Sequence, residues 1–246
     1  MNQILVTEKL YITPEIKRKK KIYKINFFLS VFLICLLFSY YIYAENDRNK
    51  SEEVSQKILA KLEYNSNNEI EDMTTKNIVN DVLIVALDES DSNNAQEQIG
   101  EIITEEKNTY TNDSGESYTT DSILTIPKLD INYPVLSETS EELLKISLNK
   151  YWGNGPNQIG NYCIVGHNYA NGKMFGKLSQ IEIGDIATLE DMNGKKVTYE
   201  VYDIYIVEPT DVSCTSQLTN GKREMTLITC KTYGTQRLIV KCREVL

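Results

Sequence analysis

Histidine occurs once in this chain of 246 residues, as His167, so any imidazole chemistry must run through that one position. The five cysteines, Cys35, Cys163, Cys214, Cys230 and Cys242, are widely scattered. With a single imidazole they lack the ligand spacing of a zinc site. Basic residues are in deficit, 26 Lys and Arg against 35 Asp and Glu, for a net charge of −9. A nucleic-acid binder needs an excess of cations along one face, so that class is excluded. The C-terminal half also lacks the helices that a parallel α/β sheet places between its strands.

What is present begins with a cluster of positive charge, Lys17 to Lys21, followed by an uncharged run from Ile25 to Tyr43. Roughly 19 residues at about 1.5 Å each give about 28 Å of helix, the thickness of a hydrocarbon core. The run is apolar all round, which predicts a transmembrane helix over 25–44 rather than a core helix. It exceeds the usual apolar stretch of a cleaved signal peptide, although Ala44 could serve as a cleavage-site residue. The positive-inside rule places residues 1–24 in the cytoplasm and everything beyond the span outside.

Residues 45–120 change character. Over 45–118 there are 18 acidic and 6 basic residues, interleaved with Asn, Ser and Thr. Such a composition buries too little apolar surface to offset the entropy of ordering, which predicts a largely flexible acidic stalk. Two pieces stand out within it. Asn49 and Glu52 have the spacing of a capping pair, and Val54, Ile58 and Leu62 recur every four residues, as on one face of a short helix. The second piece, Val82 to Leu87, is continuously apolar. It reads either as a packed strand or helix turn, or as a docking or self-inhibitory element.

From about residue 121 to 246 the chain is strand-rich. Apolar runs at 123–127, 131–136, 162–165, 186–189, 197–207, 224–229 and 236–242 are separated by turn signals such as Asn193-Gly194 and Asn220-Gly221. One short helix is expected over 140–148. In 197–207 the alternation puts Val197, Tyr199, Val201, Asp203 and Tyr205 on one side. Many short strands with few helices predict an all-β, closed or nearly closed barrel.

A thiol is the strongest ordinary side-chain nucleophile once ionised, and a nearby cation or imidazolium raises its thiolate fraction. Cys230 closes the strand-like run Thr226-Leu227-Ile228-Thr229, His167 ends Ile164-Val165-Gly166, and Arg237 opens Arg237-Leu238-Ile239-Val240. Taken singly, Cys230 also suits a small buried hydrophobe and His167 a satisfied loop residue. Together they are enough for a thiol acyl-transfer site.

The segments Gly160 to His167, Thr226 to Cys230 and Arg237 to Val240 resemble the signature of the sortases, membrane-anchored cysteine transpeptidases of Gram-positive bacteria. Ile126-Pro127-Lys128-Leu129, Phe175-Gly176-Lys177-Leu178 and Ile183-Gly184-Asp185 extend the resemblance over 122–246. It implies an eight-stranded sortase-type β-barrel with a few short helices behind the membrane helix; no cofactor or metal is expected. It also implies roles. Cys230 would attack the threonine carbonyl of a C-terminal sorting signal, of the Leu-Pro-x-Thr-Gly type, on an exported surface protein. His167 would protonate the leaving amine and then deprotonate the incoming amine of a peptidoglycan precursor or crossbridge. Arg237 would hold the substrate backbone and the oxyanion, and Thr229 would help line the site.

The resemblance leaves the class between D-like and A-like. The step of seven residues from Cys230 to Arg237 is short, the 208–223 loop carries no long inserted helix, and no Asp-Pro-aromatic lid precedes the barrel. Some sortases bind calcium through acidic loops, and Glu182 and Asp185 could take that place, although ordinary solvated charge also explains them. Two other readings fit an exported Cys/His domain, an L,D-transpeptidase and a non-enzymatic anchored surface module. The former carries Gly before its cysteine, where this chain has Thr229.

Overall fold

In β2 (Ser117–Ile126) every second residue from Tyr118 to Ile126 is buried, the period-2 signature of a strand with one face on a core. The computed structural model describes residues 14–79, 108–231 and 234–245. They fall into two compact units, 1–49 and 50–246.

The first unit is described from Pro14, where helix α1 (Pro14–Val79) begins. Its most apolar 18-residue window has a mean hydropathy of 2.2 and no buried part. Phe27, Phe28, Leu33, Leu37 and Phe38 are all exposed. A long apolar helix with its side chains exposed fits a single-pass membrane anchor.

In the second unit the strands are β1 (Thr109–Thr111), β2, β3 (Ile131–Leu136), β4 (Leu148–Trp152), β5 (Gly160–Gly166), β6 (Ile186–Asp191), β7 (Lys196–Val207), β8 (Arg223–Lys231) and β9 (Gln236–Glu244). A short helix, α2 (Glu141–Ile146), precedes β4. The sheet order is β1-β2-β3-β4-β5-β8-β9-β7-β6, and β2 also pairs with β6. Strands β2 to β9 therefore form an eight-stranded closed barrel, with β1 added beside the start of β2. Closure removes the edges that an open sheet would expose.

Two pairs of neighbours in the barrel run parallel, β3 with β4 and β5 with β8. Parallel strands share a direction, so the second pairing brings the C-terminal ends of β5 and β8 together. Gly166 and Thr229 are Cα partners there. Residues 63 positions apart in sequence thus meet at one end of the barrel. The core inside is built from side chains such as Leu124, Leu148, Ile164, Phe175, Leu227 and Val240.

The alternation in β7 holds from Val197 to Val201 and then breaks. The β7–β9 register shifts between Val201 and Asp203. A bulge of this kind turns later side chains to the opposite face. Asp203 is exposed and Ile204 packs against the main core, so the single face read from sequence over 197–207 ends at the bulge. At the β7–β8 connection, Asn220 and Gly221 have φ of 54° and 77°, and Lys222 N–H donates to the Thr219 carbonyl at 3.2 Å. Both central residues lie in the left-handed region, which explains the Asn-Gly pair.

The acidic segment is structured where it is described. Residues 50–65 of α1 lie in the same unit as the barrel. Ile58 is buried with Tyr118 and Leu136, and Val54 and Leu62 pack on the same cluster. Residues 109–111 and 117–120 are strand. The apolar piece 82–87 lies outside the described residues.

Candidate active site

Cys230 lies near the C-terminal end of β8, and its Cα partner across the antiparallel β8–β9 ladder is Arg237. One residue back, Thr229 is paired with Gly166 at the end of β5, and His167 follows directly. The three groups predicted for catalysis are thereby brought to one end of the barrel by strand register alone. They line a cleft of about 280 Å³ together with Thr229, Leu144, Tyr151 and residues of the β7–β8 loop.

Gly166 leaves room for two core side chains. A Cβ there would lie 2.4 Å from Leu148 Cδ2 and 2.9 Å from Phe175 Cδ2, far inside van der Waals contact. The missing side chain lets β5 press onto the core as it delivers His167 to the cleft. Phe175 N–H then donates to the His167 carbonyl at 3.0 Å, and the imidazole lies against Tyr169 with ring centroids 5.1 Å apart.

Two side-chain bonds tie the histidine loop to the cysteine strand. Thr229 is buried, and its hydroxyl donates to the Gly166 carbonyl at 2.7 Å. Asn168 Nδ2 donates to the Cys230 carbonyl at 2.8 Å. Thr229, expected to line the site, borders the cleft while its hydroxyl holds β5 to β8. Asn168 carries no motif of its own, and only its place beside His167 hints at this bond.

Arg237 is anchored by its own turn. Its Nη1 donates to the Gly234 carbonyl at 2.8 Å and to that of Gln236 at 3.2 Å. These bonds fix one end of the planar guanidinium and so restrict its orientation. Burial lowers the His167 pKa, and the positive charge of Lys145 on α2 lowers it further. Near neutral pH the imidazole is therefore mostly uncharged and able to accept a proton.

The remaining cysteines of the barrel differ from Cys230 in setting. Cys163 and Cys242 are fully buried, and burial pushes both thiols up to about 12. Cys214, in the β7–β8 loop, borders the cleft but is also buried and raised. Such thiols are protonated and poor nucleophiles, whereas Cys230 is half-exposed. The resemblance matches the 208–223 loop to the region that closes over the sorting signal, but which of its residues border the cleft, here Asp211, Val212 and Cys214, is invisible in the sequence, because a loop's fold leaves no periodic trace.

The acidic pair Glu182 and Asp185 is engaged by the Lys128 ammonium, which sits 2.9 Å from Asp185 Oδ2 and pairs with Glu182. Among the described residues, no group of three or more His, Cys, Asp or Glu side chains could hold a metal ion.

Residues 124–245 match the sortase domain. Sortase A of Bacillus anthracis is 31% identical over 108 residues, covering 44% of this chain, and the chain spans 50% of that relative's length. A Clostridium perfringens sortase D5 transpeptidase structure aligns with a TM-score of 0.49 at 19% identity, over 63% of this chain and 91% of that one. Sortase C-1 of Streptococcus pneumoniae aligns with a TM-score of 0.48 at 26% identity, over 52% and 67%. The matched residues run from the last part of β2 to the end of β9, nearly all of the closed barrel, and on that match the chain belongs to the sortase family.

Proposed function

We propose that this protein is a membrane-anchored cysteine transpeptidase of D-like or A-like class, which cuts a C-terminal sorting signal of exported proteins and joins the new end to a cell-wall amine. The observation that carries the reading is the convergence of Cys230, His167 and Arg237 on one cleft. The positive-inside pattern of Lys17 to Lys21 supports a cytoplasmic N-terminus and an extracytoplasmic barrel.

In the first half-reaction His167 accepts the Cys230 thiol proton as the sulfur attacks the threonine carbonyl carbon. The Arg237 guanidinium stabilises the oxyanion that develops, since a pre-oriented cation is most useful where charge appears. Collapse of this intermediate breaks the peptide bond, the imidazolium protonates the leaving amine, and a thioester remains on Cys230. In the second half-reaction an amine from a peptidoglycan precursor or crossbridge attacks the thioester, His167 takes its proton, and the thiolate leaves. The lowered pKa of His167 keeps the imidazole unprotonated before each base step and makes the imidazolium a readier acid towards the leaving amine. Leu144, Tyr151 and Val212 give the cleft apolar walls for an uncharged signal of the Leu-Pro-x-Thr-Gly type.

Incubating the full chain in detergent micelles with such a peptide and a glycine-based amine tests the reading. Peptide cleavage with formation of the amide to the added amine is expected. No cleavage of any sorting-signal peptide would overturn it.

A further inference from the structure

Helix α2 stands between two parts of the second unit. Its residue Leu144 borders the catalytic cleft, and Lys145 is close enough to His167 to act on its charge. On its other side, Leu143 and Ile146 pack on the cluster formed by Ile58 of α1 with Tyr118 and Leu136 of the barrel. With six residues, α2 is too short to hold itself together as an isolated helix. Its position must come from what it packs against.

The contact with α1 has a polar part as well. Ser55 is fully buried, and its hydroxyl donates to Ser147 Oγ at 3.1 Å. Ser147 is the residue that ends α2, and its own hydroxyl donates to the Pro134 carbonyl of β3. One turn earlier on α1, the Glu52 carboxylate accepts from the Tyr133 hydroxyl, with both oxygens at 2.9 Å. Specific buried hydrogen bonds of this kind fix one packing arrangement, where an apolar contact alone would allow sliding.

We infer that the 52–62 stretch of α1 is a positioning element of the catalytic cleft: docked on Tyr118, Leu136 and Ser147, it holds α2 so that Leu144 walls the cleft beside His167. The membrane-proximal helix then acts on the site through α2, beyond its service as a tether. The substrate-dependent part of the inference rests on the transpeptidase reading above; the placement of α2 does not.

The test uses the full chain in lipid nanodiscs, with Ile58→Glu as the undocking variant. Ile58 is 1% exposed, so a carboxylate there cannot stay docked without losing its water. The main barrel core is a separate cluster and should keep its fold. Three readouts are taken. Amide exchange of residues 141–146 should accelerate by about tenfold or more, in line with local opening. Because His167 is the only histidine, labelled-histidine resonances report its titration unambiguously, and its midpoint should rise as Lys145 moves away. The other charged or titratable groups near His167 are Tyr169, whose ring lies against the imidazole, and, bordering the cleft, Tyr151 on β4, Cys230 on β8, Arg237 on β9, and Asp211 and Cys214 in the β7–β8 loop. None of these lies on α2. Finally, KM for a sorting-signal peptide should rise severalfold with a smaller change in kcat, since Leu144 walls the cleft but takes no part in the chemistry.

Ile58→Leu should leave all three at wild-type values, and Ser55→Ala should move them the same way as Ile58→Glu by less. Unchanged exchange and an unchanged His167 midpoint in Ile58→Glu would overturn the inference. The first two readouts need no substrate, so a failure of the proposed reaction is seen separately, as a peptide left uncut by the wild-type chain.

Discussion

Cys230 and Arg237 are directly opposed Cα partners on β8 and β9, so their separation is set by a hydrogen-bonded ladder. His167 reaches the same end of the barrel through the parallel pairing of β5 with β8. The site is thus held by three adjacent strands, and its precision depends on the register of two ladders.

Arg237→Lys should lower kcat/KM by about tenfold or more while Arg237→Ala should lower it by about 10²-fold or more, with folding unaffected in the lysine variant. An ammonium keeps the charge but cannot reproduce the planar fork anchored at Gly234 and Gln236. Steady-state kinetics on one sorting-signal peptide checks this, and equal activity of the lysine variant and wild type would remove Arg237 from the oxyanion role.

Gly166→Ala should destabilise the barrel by about 1–3 kcal/mol, because the new methyl collides with Leu148 and Phe175 at the point where β5 hands over to His167. Urea denaturation gives the stability, and kinetics should show a loss of kcat beyond what the folded fraction explains.

The titration of His167 affects stability in a definite direction. Its folded pKa is depressed, chiefly by burial and then by Lys145, relative to about 6.5 in an unfolded chain. The favourable contribution is complete above the unfolded value. As pH falls through it, the unfolded chain takes up the proton first and stability declines, until the folded imidazole is protonated too. Denaturation at about pH 7.5 and about pH 5, on either side of the unfolded value, should show a smaller acid loss for His167→Gln than for wild type, and an identical loss would contradict the depressed pKa.

Thr229→Val should be costly despite its similar size. It removes the donor to the Gly166 carbonyl in a buried setting, at a cost of about 1–2 kcal/mol. Asn168→Ala should leave stability nearly unchanged, since its bond to the Cys230 carbonyl is exposed, but should lower kcat by releasing that carbonyl. Combined denaturation and kinetics on the two variants separates packing from positioning.

Much of this arrangement is legible from residues alone. The strand runs at 131–136, 162–165, 186–189 and 224–229 fall within observed strands, and that at 123–127 overruns its strand only by Pro127, because alternation and β-branched side chains report a half-buried surface directly. The short helix is visible too, with Ser140 as its cap: Leu143 N–H donates to the Ser140 hydroxyl at 3.1 Å. Its end is not, because Leu148 continues the apolar pattern yet belongs to β4, where it pairs with Val135 of β3.

The acidic segment shows a second limit. Composition over 45–118 describes an average, and the average conceals the Val54, Ile58 and Leu62 face, which packs on the barrel. The i, i+4 spacing betrays the helix, but nothing local names its partner surface. Likewise the bulge in β7 and the cleft-lining residues Cys214 and Val212 depend on tertiary closure.

The most direct measurement is intact-protein and peptide mass spectrometry of the full chain after reaction with a sorting-signal peptide, with wild type and Cys230→Ala in parallel. Wild type should show a thioacyl adduct on Cys230 that an added amine discharges. The variant should show neither adduct nor transfer while keeping its stability within about 1 kcal/mol, because Cys230 is only half-buried. Turnover retained by Cys230→Ala, or an adduct carried by another cysteine, would contradict the assignment of Cys230 as the nucleophile.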